Sequence, residues 1–162
     1  MAESVYLFLK VNGNAVKGDS TQSSLDRKDA IECISFDEGA EGARDPATGA
    51  ATGRRRYEPL RFTTRIGKAT PLILKAMTQN QVCDGIFKFY RPNPKGDGTT
   101  EQFFSVEVKG GRIFSQKLIV LDTLDPEAIH HPPLEEVSIV FTSITQTYTD
   151  GGVTHEDSWE KG

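Results

Sequence analysis

Three histidines and two cysteines are the residues whose side chains best suit metal binding: His130, His131, His155, Cys33 and Cys83. A zinc site needs three or four such ligands that converge on one point. His130 and His131 are adjacent and followed by two prolines, so their side chains point in different directions and chelate poorly. Neither cysteine lies at ligand spacing. We therefore predict no metal site, and nothing in the sequence indicates a cofactor.

Acid–base or nucleophilic chemistry has equally little support. Asp122, Asp125 and Glu127 form an acidic loop, but two carboxylates act as an acid–base pair only where a cleft separates their pKa values. The chain contains no G-x-S-x-G nucleophile motif. Segment 95–98 (KGDG) lies at a turn between two strand patterns, whereas a phosphate-binding loop lies between a strand and a helix. We predict that the protein is not an enzyme and has no catalytic residues.

The stretch 37–56 (DEGAEGARDPATGAATGRRR) has the most unusual charge pattern of the chain. Loops of about 20 residues in a compact domain are usually functional or disordered. A lone run of three arginines would simply be solvated, but this loop has one acidic and one basic end. A flexible arm of that kind could dock on another copy of the protein. The charged residues that would take part are Glu38, Glu41, Arg44, Asp45, Arg54, Arg55 and Arg56.

Length and charge exclude several classes of protein. The 162 residues predict one domain over 1–162. The net charge of −4 argues against a nucleic-acid binder, which would carry a basic balance or stripe. No apolar run approaches the roughly 20 residues of a membrane span, and the N-terminus lacks the features of a cleaved signal peptide. We expect synthesis in the cytoplasm, with Cys33 and Cys83 as buried free thiols.

Alternating apolar and polar residues predict seven or eight β-strands. Short turns separate most of them, which favours antiparallel pairing in a closed or nearly closed barrel. Gly110-Gly111 is interpreted as the tight turn of a hairpin. The predicted strands cover residues 5–11, 30–36, 57–64, 85–91, 103–108, 112–120 and 135–147.

One short helix interrupts the strand pattern. Thr70 is predicted to cap it with its hydroxyl, and Pro71 suits the first turn. A helix of roughly ten residues is too short to persist alone, so it must lie against the β surface. Its predicted apolar face, which would seal one flank of the barrel, consists of Leu72, Ile73, Ala76 and Met77.

Four stretches of this sequence resemble the haemolysin-coregulated protein (Hcp) family of bacterial type VI secretion. They are residues 6–20, 30–39, 57–77 and 135–159, and the third, which contains the Thr-Pro helix, is the most specific. The resemblance covers essentially the whole chain. The family more often has aspartate where Gly67 stands, so the helix entry is a point of departure.

The resemblance implies a mainly β fold, a small barrel of two packed antiparallel sheets with one short flanking α-helix. It also implies that six copies close into a ring with a wide channel. Rings stack into the inner tube of a contractile machine that has tip and sheath proteins, and small effectors ride in the channel. The loop that matches 37–56 is the family's ring-to-ring contact. The protein would then be secreted without a cleaved signal peptide.

A ligand-holding barrel of lipocalin type is the main alternative to a tube subunit. It predicts a monomer with an apolar interior pocket. The long charged loop argues against it, because in a monomer that loop would have nothing to contact.

Overall fold

A computed structural model describes residues 3–159. It contains eleven strands, one α-helix and three short 3-10 turns within that range. In chain order the elements are β1 (Ser4–Val11), β2 (Asn14–Val16), β3 (Ile31–Asp37), β4 (Ala40–Glu41), β5 (Arg56–Tyr57), β6 (Leu60–Arg65), α1 (Thr70–Thr78), β7 (Cys83–Pro92), β8 (Thr100–Ile119), β9 (Leu134–Val140), β10 (Ser143–Tyr148) and β11 (Val153–Ser158).

Six strands form a closed barrel. Antiparallel pairing runs from β8 through β7, β1, β3 and β6 to β9, and β9 pairs back onto β8. Strands β10 and β11 extend the sheet beyond the barrel, because β10 pairs with the first half of β8 while β9 pairs with its second half. The prediction of a mainly β barrel of antiparallel sheets with one flanking helix is confirmed.

The predicted hairpin at Gly110-Gly111 is wrong. β8 continues through both glycines as one strand of 20 residues, with Gly110 in the left-handed region at φ +62°. The glycines are needed for close approach instead: a Cβ on Gly110 would lie 2.7 Å from Thr142 Oγ1, and one on Gly111 would lie 2.6 Å from the Cys83 carbonyl oxygen. Two glycines in a strand pattern fit a tight turn and a close backbone contact equally well.

The barrel interior is filled by side chains. Alternate residues of the strands point inward, and the large ones are completely buried, among them Leu7, Leu60, Phe62, Phe87 and Ile139. Phe62 and Phe87 meet edge to face with ring centroids 5.4 Å apart. The inward residues form one continuous core from β1 to β10. The barrel interior is therefore a packed core rather than an open cavity.

Candidate functional site

The arm, residues 37–56, is ordered at its base. β4 and β5 pair at Ala40 with Tyr57 and at Glu41 with Arg56. A further β-bridge joins Arg44 to Ala51. The arm is thus a long hairpin whose two ends are held together by backbone pairing, not a free loop.

Side-chain hydrogen bonds shape the tip of the arm. The Asp45 carboxylate accepts the Ala47 N–H (2.9 Å) and the Thr48 hydroxyl (3.1 Å). These bonds lower the pKa of Asp45, because they favour its charged form. Arg44 Nη1 donates to the Gly49 carbonyl oxygen at 3.1 Å. The tip therefore keeps a defined shape although most of its residues are exposed.

A carboxylate on the last strand clamps the basic end of the arm. Arg55 binds Asp157 through two nitrogens, with Nη2 to Oδ1 at 2.8 Å. The Tyr57 hydroxyl also donates to Asp157, and Arg54 Nη2 donates to the Trp159 carbonyl oxygen at 2.8 Å. The hydrogen bonds from Arg55 and Tyr57 hold the pKa of Asp157 well below its usual range. We call this group, Arg55, Tyr57 and Asp157, the clamp.

Three further charged residues of the arm have partners within the chain. Arg56 Nη2 lies 2.8 Å from Glu41 Oε2 in an exposed ion pair. Glu38 accepts a hydrogen bond from Gln146 Nε2 at 3.1 Å, and burial raises its pKa. The structure therefore brings Glu41 and Arg56 together, whereas Glu38 lies against β10. Docking of the arm on a second copy stays a prediction.

The helix entry differs from the prediction. The Thr70 hydroxyl does not cap the helix; it accepts the N–H of Gly67 at 3.0 Å. Asp19, from a distant loop, accepts the Lys68 N–H at 3.1 Å, one residue before the N-cap residue Ala69. A Cβ on Gly67 would lie 1.8 Å from Asp19 Oδ2. Glycine at position 67 thus leaves the space that the Asp19 carboxylate occupies.

A buried carboxylate joins the helix to the barrel. Glu135 on β9 is 1% exposed. Its oxygens accept hydrogen bonds from the Thr70 hydroxyl (3.3 Å) and from Gln116 Nε2, which also donates to the Thr70 carbonyl oxygen at 3.0 Å. Burial raises the pKa of Glu135, and these hydrogen bonds oppose the rise. Neither Glu135 nor Gln116 was among the residues predicted from the sequence.

The apolar face of the helix is narrower than predicted. Ile73 and Ala76 are fully buried and Met77 packs partly against the core, and Pro71 lies in the first turn as predicted. Leu72 is 43% exposed, so its predicted burial is wrong. Successive helical residues differ by about 100° in direction, and the buried stripe centres on Ala69, Ile73 and Ala76, which leaves Leu72 at its margin.

Within the described part of the chain, no group of three or more His, Cys, Asp or Glu side chains is placed to hold a metal ion. His130, His131 and His155 are exposed. Of residues 3–159, no helix is both long enough and apolar enough to cross a lipid bilayer.

Comparison with known protein families identifies relatives of this chain. The family described as "Type VI secretion system effector, Hcp" matches residues 8–148, which is most of the chain. This chain belongs to the Hcp family. The resemblance identified from the sequence is thereby confirmed.

Individual Hcp relatives support the assignment. The "Major exported protein" of Pseudomonas aeruginosa strain PAO1 is 30% identical over 117 residues, which cover 72% of this chain and 67% of that protein. A double mutant of Hcp1 from the E. coli EAEC 042 pathovar superposes with a TM-score of 0.83 at 29% identity, over 98% of this chain and 99% of the other. Secreted Hcp3 of Pseudomonas aeruginosa has a TM-score of 0.74 at 18% identity and shares the fold over 98% of this chain and 99% of the other.

Proposed function

We propose that this Hcp protein is a structural subunit of the inner tube of a type VI secretion system and catalyses no reaction. Six copies of a single domain, residues 1–162, close into a ring, and rings stack into a tube. The protein is made in the cytoplasm, assembles with tip and sheath proteins, and is exported with small effectors in the channel. Family membership is the observation that carries the proposal.

The surface of the subunit supports assembly. Several large apolar side chains are exposed although the core is well filled, notably Leu124 at 90%, Ile129 at 72% and Phe114 at 63%. Burying such side chains against another copy is favourable by about 25 cal/mol per Å² of apolar surface. The name of the Pseudomonas relative, a major exported protein, supports export of this chain as well.

The arm is the proposed ring-to-ring contact. Its Glu41, Arg55 and Arg56 are already ion-paired within the chain, so these three charges are not free to join an acidic end to a basic end across the contact. What the arm offers instead is a preformed, exposed tip between Arg44 and Ala51. Preorganisation reduces the entropy lost when two rings meet.

Light scattering and negative-stain microscopy of the purified protein test the ring. We expect particles with a mass about six times the 17.8 kDa of one chain and an annular shape. A strict monomer at high concentration would contradict the proposal and favour a ligand-binding barrel of lipocalin type. The side chains that fill the barrel interior argue against that alternative, because such a barrel needs an open cavity.

A further inference from the structure

A groove of about 560 Å³ lies on the outer surface of the barrel. Phe8 and Ile86, both partly exposed, contribute an apolar floor on neighbouring strands β1 and β7. Besides Lys109 on β8, three exposed lysines line it: Lys10 on β1, Lys17 just after β2, and Lys28 in the loop before β3. We call this surface the lysine groove.

The groove lining contains one more lysine than carboxylate: Lys10, Lys17, Lys28 and Lys109 against Asp29, Asp84 and Glu107. Glu107 pairs with Lys109 (3.1 Å), Asp84 accepts the Gly110 N–H (2.9 Å), and Asp29 lies 4.0 Å from Lys68. Within residues 3–159, by contrast, none of Lys10, Lys17 and Lys28 forms an ion pair with a carboxylate. The groove therefore presents an apolar floor with unpaired positive charge at its rim.

A segment of the same chain has the opposite pattern. Residues 121–129 (LDTLDPEAI), here called the acidic loop, carry an apolar tip, Leu124, with Asp122 and Asp125 beside it. Asp122 Oδ1 accepts the Leu124 N–H at 2.9 Å, and Asp125 Oδ1 accepts the Glu127 N–H at 2.9 Å. These bonds hold the loop in a defined shape before any partner arrives.

In the folded chain, no residue of the acidic loop lines the lysine groove. Glu107, at the groove, and Ile119, just before the loop, are twelve residues apart on β8. A partner for the groove with matching chemistry is therefore a second copy of the chain.

We propose that the acidic loop of one copy docks in the lysine groove of its neighbour in the ring, with Leu124 on the Phe8–Ile86 floor and the aspartates beside the lysines. This inference rests on the proposed function, and it names the contact that closes the ring. A ring requires two different, complementary surfaces on each subunit, and the groove and the loop supply such a pair. Their opposite charges also favour the correct orientation on encounter.

Charge reversal on each side, and then on both, tests the contact. Lys17→Glu/Lys28→Glu and Asp122→Lys/Asp125→Lys should each raise the protein concentration needed for half-assembly about tenfold or more, because like charges then face each other. The chain that carries all four changes should recover rings. Lys75→Glu/Lys95→Glu, matched in charge to the groove variant, should assemble like the unaltered protein. Ring mass is followed by light scattering across a dilution series.

Leu124→Ser provides an independent measurement, since it alters neither charge nor the Asp122 and Asp125 side chains. It should also weaken rings, while circular dichroism and the melting temperature of the dilute protein stay unchanged. If the groove, loop and Leu124 variants all assemble normally, rings exist but close through another contact, and the inference fails alone. If the fourfold variant does not recover, the two surfaces do not face each other. If the unaltered protein never forms rings, both the inference and the proposed function are wrong.

Discussion

Glu135 is a carboxylate held inside the molecule by two neutral hydrogen-bond donors, the Thr70 hydroxyl and the Gln116 amide. Burial raises its pKa above the ordinary value of 4.5. The folded state is therefore more stable, relative to the unfolded state, when Glu135 is protonated. The resulting stabilisation is fully present below the ordinary pKa and is lost as the pH rises through the folded-state pKa. At neutral pH this residue joins the helix to the barrel at some cost in stability.

Glu135→Gln should remove this titration. As the pH rises above 4.5, the free energy of unfolding of the unaltered protein should fall relative to that of the variant, because only the carboxylate loses its proton. The substitution also changes the hydrogen bonds to Thr70 and Gln116. This change shifts the free energy of unfolding by about 1 kcal/mol at every pH. Urea denaturation at several pH values measures the difference. Glu136→Gln is the matched control, since Glu136 is exposed on the same strand. Parallel pH profiles for all three proteins would contradict the argument.

At the scale of elements, period-two alternation was sufficient to predict most of the strands. This pattern predicted the wrong element at the paired glycines, because glycine occurs both in tight turns and where two segments approach closely. Gly110-Gly111 mark a close approach between β8 and its neighbours rather than a turn, and local sequence does not distinguish the two. The helix was predicted correctly as an element, but which residues its buried stripe contained depended on how the barrel met it. Leu72 was placed on the wrong side of that boundary.

Substitutions of the buried Ile73 and of the partly exposed Leu72 should differ sharply in their effect on the free energy of unfolding. Ile73→Ala removes a completely buried side chain from the helix–barrel contact, which should cost about 2–5 kcal/mol of unfolding free energy. Leu72→Asp, although more drastic chemically, changes a side chain that is 43% exposed and should cost about 1 kcal/mol or less. Denaturation of dilute protein measures both. An unfolded Leu72→Asp protein would show that the Leu72 side chain packs against the barrel.

At the scale of the whole molecule, the clamp connects the arm to the last strand across about a hundred residues of sequence. Sequence analysis identified Arg54, Arg55 and Arg56 as unusual, yet it did not identify Asp157 as the partner of Arg55. Nothing local in the sequence marks one aspartate of β11 as the partner of a distant arginine. Only the pairing of β10 with β11 brings Asp157 beside Arg55.

Loss of the clamp should weaken stacking more than ring closure. In Asp157→Asn the neutral amide no longer forms the ion pair with Arg55, so the arm loses part of its preorganisation. We expect rings of normal mass but fewer and shorter tubes by electron microscopy. Glu156→Gln, on an exposed neighbour of the same strand, should stack normally. Unchanged tube length in Asp157→Asn would show that the clamp has no part in stacking.

The clamp also has a defined pH range. The folded-state pKa of Asp157 is depressed below the ordinary value of 3.8. Its stabilising contribution is therefore present above that ordinary value and is lost as the pH falls through the lower folded-state pKa. Stacking that depends on the clamp should persist through neutral and mildly acidic solutions.

Both thiols of the described chain lie out of reach of solvent. Cys33 is 7% exposed and Cys83 is 0% exposed, and burial raises the pKa of each thiol. Thiol exchange requires an accessible thiolate, and neither residue supplies one while the barrel is folded. A subunit built in this way can pass from a reducing cell interior to oxidising surroundings without cross-linking to its neighbours or to the proteins it meets.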